Sequence, residues 1–198
     1  MKNKSILLGL AVAVIMGMAS CNSNSGEDAK DSTEAINNEA IDATASSDSM
    51  ARAQKEDVDD VIEVASGGMM EVELGKIALQ KATSSKVKQF AQMMIDDHTK
   101  ANEELKMLAS SKNIVLPTTL IDKHQKTVND VSEETGKNFD KKYMDTMVED
   151  HKKDVDKFKK IADKANDADI KAFAAKTLPT LMHHREEAEK LEKITDKM

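Results

Sequence analysis

The sequence predicts an all-α protein: a four-helix bundle with an extra short connector helix, preceded by a disordered tether. Residues that favour strands and turns are scarce, since the 198 residues include four Phe, one Tyr, no Trp, seven Gly and two Pro. Ala, Lys, Glu, Met and Leu favour helices instead. From residue 57 onward, apolar residues also recur at helical spacing. A folded part of about 140 residues is large enough to form one domain with its own core.

The first segment, residues 1–20, has the pattern of a signal peptide. Lys2 and Lys4 precede an uncharged apolar run over residues 6–18, which is too short to span a membrane. The run ends in MASC, which resembles a bacterial lipobox whose first residue is more usually Leu. The resemblance implies that Cys21 is diacylated and anchors the chain to a membrane, in the bacterial cell envelope at the outer membrane or its periplasmic face. The alternative is an ordinary signal peptide followed by a chance cysteine.

Residues 21–56 are predicted to form an acidic flexible tether. They are mostly Ser, Asn, Asp, Glu and Ala, and such a segment buries too little apolar surface to offset its ordering entropy. The net charge of the chain is −7 and it has no basic stretch, which argues against a nucleic-acid partner. A single cysteine excludes an intramolecular disulfide and a cysteine-based zinc site.

The folded domain, residues 57–198, is predicted to contain four long helices and one connector. Pro179 lies inside the last helix and is expected to kink or divide it. The predicted long helices span about residues 57–82, 84–112, 138–165 and 168–193, and the connector spans 120–134.

Three histidines lie on the apolar faces of three different predicted helices, each near its middle: His98, His151 and His184. Mid-helix positions share a layer in a bundle of matched helices, so these rings are expected to converge. Glu71 offers a carboxylate at a similar height on the first long helix, on a face of small residues. Bundle cores build metal sites from such inward residues. The four residues therefore predict a site for one transition-metal ion, with Cu, Zn and Fe as candidates.

Four further residues flank this site. Asp97 and Asp150 directly precede two of the histidines, and they are interpreted as ligands, as orienting partners of the histidines, or as solvated charges. Met94 and Met147 lie one turn before the same histidines. Their sulfur atoms suit copper, but flexible core packing explains them as well.

Two other functional interpretations stay open. The histidines and acids can form buried hydrogen-bonded layers that fix helix register in a non-catalytic structural or interaction module. A metal-dependent enzyme would need an open cleft beside the site. The sequence has no Gly-rich phosphate loop and no Ser-His-Asp motif, so no motif indicates an enzyme. His124 and His183 lie off the apolar faces and are expected at the surface.

Three stretches carry a family resemblance: GGMMEVELGKIALQKATSSKVKQFAQMMIDDHTKANEELKMLA, FDKKYMDTMVEDHKKDVDKF and KAFAAKTLPTLMHH. Over about residues 57–192 the chain resembles the DUF4142 family of exported bacterial proteins. The fold of that family is similar to the ferritin-like helical bundles. Its members are often labelled as putative outer-membrane proteins, and the family has no established activity. The resemblance implies a ferritin-like bundle, and the polar positions that recur in the family match Glu71, Asp97-His98, Asp150-His151 and His184.

The sequence departs from the ferritin-like metal pattern in one respect. Ferritin-like di-iron proteins use Glu-x-x-His on two helices, whereas Ile95 and Val148 stand three residues before His98 and His151. This departure argues against a di-iron carboxylate oxidase. A shared fold also says little about the reaction.

Overall fold

A computed structural model describes residues 28–197, which form helices and no strands. The prediction of an all-α fold is therefore confirmed for this part of the chain. None of the helices described combines enough length with enough apolar side chains to cross a bilayer. The predicted signal peptide, residues 1–20, and the predicted lipidation residue Cys21 lie outside the described residues. The helices are α1 Ala29–Thr44, α2 Asp48–Lys81, α3 Ser85–Ser111, α4 Asp122–Ser132, α5 Gly136–Lys164 and α6 Ala168–Thr195.

The four long helices form two hairpins that pack into a bundle. Helix α2 packs mainly against α3, and α5 packs mainly against α6. Each pair is joined by a turn of three residues, 82–84 and 165–167, and such short connections give antiparallel neighbours. The connector α4 lies against α2 and α5. The two hairpins therefore bring four long helices around one interior.

The interior contains two apolar clusters along the bundle axis. One cluster includes Leu74, Phe90, Met94, Tyr143 and Met147. The other includes Val61, Leu105, Val155, Phe158 and Leu181. On α3, α5 and α6 the cluster residues leave a gap in the middle that His98, His151 and His184 occupy, and on α2 Glu71 lies where the first cluster begins. The site is thus a polar layer between two apolar layers.

A buried aspartate from the opposite hairpin caps each of the two hairpin turns. Asp140 of α5 accepts backbone N–H bonds from Thr83 at 2.9 Å and Ser84 at 2.8 Å, and the Thr83 hydroxyl donates to it at 2.5 Å. Asp57 of α2 accepts backbone N–H bonds from Asn166 at 2.9 Å and Asp167 at 2.7 Å. Unpaired N–H groups at a helix start need such acceptors. The two caps fix the relative height of the helices that carry the site.

Helices α2 and α3 approach each other closely because α2 carries glycine at the contact. A Cβ atom on Gly75 would lie 2.8 Å from Cγ1 of Ile95 and 3.0 Å from the backbone oxygen of Ala91. Only a residue without a side chain fits this space. Helix α2 is continuous through Gly67 and Gly68, so these glycines do not interrupt it.

The prediction of a flexible tether over residues 21–56 is wrong for residues 28–56. Helix α1 forms there and packs along α2, which itself begins at Asp48. The buried Asn37 amide donates to the backbone oxygen of Val115 at 2.9 Å and accepts from its N–H at 2.8 Å. Polar side chains rather than apolar ones hold α1 in place, which is why composition alone misjudged it. Residues 21–27 lie outside the described part.

Helix α6 runs unbroken across Pro179, so the predicted division of this helix does not occur. Proline lacks an N–H group and leaves one helical carbonyl without its usual partner. Pro179 lies on the exposed side of the bundle, where water can supply that hydrogen bond. The helix therefore keeps His184 in line with the apolar residues before and after it.

Candidate metal centre

The structure brings together the four residues that the sequence singled out, one from each long helix. Glu71 comes from α2, His98 from α3, His151 from α5 and His184 from α6. The ring centroids of the histidines are 5.6 Å (His98–His151), 5.2 Å (His98–His184) and 5.3 Å (His151–His184) apart. One nitrogen from each of the three rings lies within 4.8 Å of the others. This spacing suits coordination of a single ion after small side-chain adjustments.

All four side chains are removed from water. His151 and His184 are fully buried, His98 is 5 % exposed and Glu71 is 1 % exposed. Burial disfavours the charged imidazolium. It lowers the pKa of His98 and of His184 to about 4 and holds the pKa of His151 well below its usual value. Neighbouring histidines add to the effect at His151 and His184. The three rings are therefore neutral at physiological pH, the form that binds metals.

Glu71 contacts two of the histidines. Its Oε2 lies 2.7 Å from Nδ1 of His98, and its Oε1 lies 3.3 Å from Nε2 of His151. Burial, together with the negative charge of Asp150, raises the pKa of Glu71 well above its usual value. A raised pKa favours the protonated form of Glu71. A cation among the ring nitrogens would instead favour the ionised carboxylate.

Each imidazole has one nitrogen fixed by an acceptor outside the centre. Nδ1 of His151 lies 3.0 Å from the backbone oxygen of Met147, and Nε2 of His184 lies 2.8 Å from Oδ2 of Asp97. Nδ1 of His98 faces Glu71 in the same way. A carbonyl or carboxylate oxygen only accepts, so Nδ1 of His151 and Nε2 of His184 carry the hydrogen, and so does Nδ1 of His98 when Glu71 is in its carboxylate form. The opposite nitrogen of each ring then carries a lone pair.

The opposite atoms are the ones that lack partners. Within the described residues, Nε2 of His98, Nε2 of His151, Nδ1 of His184 and Oε1 of Glu71 are buried without a hydrogen bond. A buried acceptor without a partner costs about 1–3 kcal/mol. Four such atoms, one from each long helix, fit a cation that accepts their lone pairs. Three imidazoles and one carboxylate suit Zn, Cu or Fe, and histidine ligands with an outer hydrogen-bond acceptor are usual in metal sites.

The two flanking aspartates take different positions. Asp97 is partly exposed and touches the centre only through His184. Asp150 is largely buried, and its Oδ2 has no partner in residues 28–197. Burial and the charge of Asp154 raise the pKa of Asp150 to about 8. One oxygen each from Asp150 and Glu71 and one nitrogen of His151 lie within 4.8 Å of one another. Asp97 thus contacts one ring of the centre from outside, whereas Asp150 lies directly beside Glu71 and His151.

The two methionines belong to the apolar cluster. Met94 and Met147 are fully buried there beside Leu74 and Phe90. Met147 still contributes to the centre, but through its backbone oxygen, which accepts from His151. Periodicity cannot reveal a contribution from the main chain.

Two more residues near the centre were not predicted from the sequence as part of the site. Asp154 lies close to Glu71. Burial and the negative charge of Glu71 hold the pKa of Asp154 well above its usual value. Tyr143 is fully buried and, in the part of the chain described, its hydroxyl has no partner. Burial and the charge of Glu71 also raise the pKa of Tyr143. The sequence feature that could have identified Asp154 is its position one helical turn after Asp150, on the same side of α5.

The remaining two histidines of the bundle differ from each other. His183 is exposed, as expected. His124 is half-buried instead, and its Nδ1 lies 2.8 Å from the hydroxyl of Ser66. The hydroxyl also accepts from the N–H of Ile121 at 3.0 Å, so Ser66 of α2 bonds both the start of α4 and its histidine. Burial lowers the pKa of His124 to about 4. This histidine holds α4 on α2 and is not at the surface.

A small cavity of about 20 Å³ lies against the centre. Glu71, His98 and Asp154 line its polar side, and Phe158 and Phe173 lie on its apolar side. Such a volume holds about one water molecule. The centre therefore has space for an ion with a small additional ligand.

Comparison with protein families gives one match: the model described as "Domain of unknown function (DUF4142)" matches residues 42–191. Comparison with curated proteins and with solved structures gave no match.

Proposed function

Because the chain belongs to the DUF4142 family, whose description assigns no activity, we propose from the geometry of the site that the protein binds one transition-metal ion. The ligands are Nε2 of His98, Nε2 of His151, Nδ1 of His184 and Oε1 of Glu71. The proposal rests on one observation above all: these four atoms are buried and without hydrogen-bond partners among the described residues. The three histidines each offer a nitrogen within 4.8 Å of the others, and Oε1 of Glu71 lies 3.3 Å from Nε2 of His151.

The lone pairs of these atoms oppose one another when Glu71 is a carboxylate and no ion lies between them. Oε1 of Glu71 and Nε2 of His151 are 3.3 Å apart, and neither His98 nor His184 presents a hydrogen from its inward nitrogen while its outer nitrogen donates. A metal cation satisfies all four atoms at once and offsets the cost of burying them.

The enclosed position of the ion supports a role in storage, buffering or stress protection. All four ligand side chains are almost completely buried, which favours retention of the ion over reaction with a large substrate. The donor set suits Zn, Cu and Fe. We further propose that Cys21 is lipidated and anchors the bundle in the cell envelope, on the resemblance of the preceding residues to a lipobox.

A second function is a structural or interaction module without metal, in which the polar layer fixes helix register. The raised pKa of Glu71 favours it, because a protonated Oε1 can donate to Nε2 of His151. That single hydrogen leaves Nε2 of His98 and Nδ1 of His184 without a donor. The metal-bound state accounts for all four atoms, so we prefer it.

The test is the metal content of the metal-free full chain after incubation with Zn²⁺ or Co²⁺ and removal of the excess. We expect about one ion per chain, an increase in melting temperature on binding, and loss of both in His151→Ala. The matched control is His183→Ala, which removes an exposed histidine next to His184 and should bind like the parent.

Absence of bound metal and of any metal-dependent change in melting would overturn the proposal. The structural alternative would then be tested with His98→Leu and His151→Leu. In a module that needs only a packed layer, these variants should be neutral or more stable than the parent.

A further inference from the structure

We propose that Asp150, with Glu71 and His151, forms a second, transient cation position through which ions reach the buried centre from the cleft between α4 and α5. The inference rests on the proposed function, because it assigns a route to the same metal. It concerns binding kinetics rather than the final ligand set.

The first support is the arrangement of ligand atoms around Asp150. One oxygen each from Asp150 and Glu71 and one nitrogen of His151 lie within 4.8 Å of one another. Oδ2 of Asp150 and Oε1 of Glu71 are both buried without a hydrogen-bond partner in residues 28–197, and Glu71 is only 1 % exposed. A partnerless, buried carboxylate aimed at a second one indicates space for a cation between them.

The second support is that the two triads share a ligand. His151 belongs both to the group with Asp150 and Glu71 and to the group with His98 and His184. An ion bound by Asp150 therefore already contacts His151, and it reaches the centre by exchanging Asp150 for His98 and His184. This stepwise exchange keeps the cation coordinated at every stage, so no bare charge enters the low-dielectric interior.

The third support is the cleft on the outer side of Asp150. It has a volume of about 300 Å³, and α4 and α5 supply its walls. Asp130, Asp145, Glu149 and Asp150 line it. Two lysines also line the cleft, one of which, Lys153, pairs with Glu149 at 3.3 Å. Asp130 and Asp145 pair with lysines as well, so Asp150, whose Oδ2 has no partner among the described residues, is the carboxyl of the cleft that is available to a cation.

Asp97 offers the other approach from solvent, since its side chain is partly exposed and touches His184. Its Oδ2 already accepts a hydrogen bond from that ring at 2.8 Å. An ion at Asp97 would next meet Nε2 of His184, which carries a hydrogen and offers no lone pair, whereas an ion at Asp150 is already beside Glu71 and His151.

The test is the rate of Co²⁺ uptake by the metal-free full chain, followed by the visible absorption of the bound ion in rapid mixing. We expect Asp150→Asn to slow uptake by roughly tenfold or more while one ion per chain is still bound at equilibrium. Glu149→Gln makes the same carboxyl-to-amide change at the adjacent cleft residue and should change the rate less than twofold.

Two further variants guard against a folding defect in Asp150→Asn. Asp150→Glu keeps a carboxylate and should retain a rate within a few-fold of the parent. Thr127→Leu narrows the cleft from the α4 side without touching a ligand and should slow uptake with unchanged stoichiometry.

Parent-like uptake in Asp150→Asn would overturn the access role, and so would loss of equilibrium binding in a folded Asp150→Asn protein, which would make Asp150 a permanent ligand. A parent chain that binds no Co²⁺ overturns the proposed function itself, a result distinct from either of these.

Discussion

His184 and Asp97 form a hydrogen bond across the contact between α6 and α3, with Nε2 of the ring 2.8 Å from Oδ2 of the carboxylate. The ring is fully buried, whereas the aspartate is partly exposed. This bond fixes the hydrogen on Nε2 and leaves the lone pair on Nδ1, which faces the other two histidines. A residue at the edge of the bundle therefore determines which nitrogen of His184 can bind an ion.

Asp97→Ala should weaken metal binding without abolishing it. Removal of an outer partner of a metal-bound histidine typically costs about 10–100-fold in affinity, because the ring loses its preferred tautomer and orientation. Competition titration against a chelating dye measures the change. The neighbouring Asp96→Ala variant is the control, since Asp96 is exposed and accepts only from Gln92 on its own helix. Equal affinities for the two variants would contradict the orienting role.

Metal binding should release about one proton per ion from Glu71. Burial raises the pKa of this carboxyl, so the metal-free protein holds a proton that the ion displaces. Affinity should therefore fall as pH falls, by about tenfold per pH unit below the pKa of Glu71. The histidines add little above pH 5, because the pKa values of His98 and His184 are about 4.

Calorimetry in buffers of different ionisation enthalpy measures the number of protons released. The variant Glu71→Gln has no proton to release and should bind with a much weaker pH dependence. Parent protein that binds with no proton release would show that Glu71 is ionised before the ion arrives.

Asp140→Ala should destabilise the bundle strongly. The carboxylate accepts two backbone N–H bonds and one hydroxyl bond at the α2–α3 turn, and its removal leaves these donors unpaired. We expect a loss of about 3 kcal/mol in the free energy of unfolding, measured by denaturant titration. Asp145→Ala, on the same helix, removes only a surface contact with Lys141 at 3.5 Å. That control should cost less than about 1 kcal/mol.

Two glycine variants of α2 should change stability in opposite directions. Gly75→Ala places a Cβ atom 3.0 Å from the backbone oxygen of Ala91 and should cost about 1–3 kcal/mol, because the helices must separate. At Gly67 the nearest atom to an added Cβ is Cε1 of His124 at 3.8 Å. Gly67→Ala should therefore be neutral or stabilising by up to about 1 kcal/mol. Thermal unfolding of both variants checks the contrast.

The helices of the bundle and the convergence of the four central residues follow from apolar periodicity. His98, His151 and His184 each occupy an apolar face near the middle of a long helix, and matched helix lengths place such positions at one level. The pattern carries no information on which ring nitrogen faces inward. That depends on acceptors such as the backbone oxygen of Met147, which only the packed structure supplies.

The prediction failed where polar side chains perform a structural task. Residues 29–44 have few large apolar side chains, so composition indicated a tether, yet Asn37 and its two bonds to Val115 hold α1 in place. His124 was misjudged for the same reason, because its partner Ser66 lies on a helix distant in sequence. Such pairings depend on tertiary contacts that no local pattern encodes.

Asp57 and Asp140 each cap the turn of the opposite hairpin, and this exchange has a consequence for the folding of the bundle. Neither hairpin can complete its own turn, since the first needs a carboxylate from α5 and the second needs one from α2. The proposed ligands divide in the same way, with Glu71 and His98 on the first hairpin and His151 and His184 on the second. An isolated half of the bundle would hold only two of the four proposed ligands, so tight binding of an ion at the proposed site requires that both halves have docked.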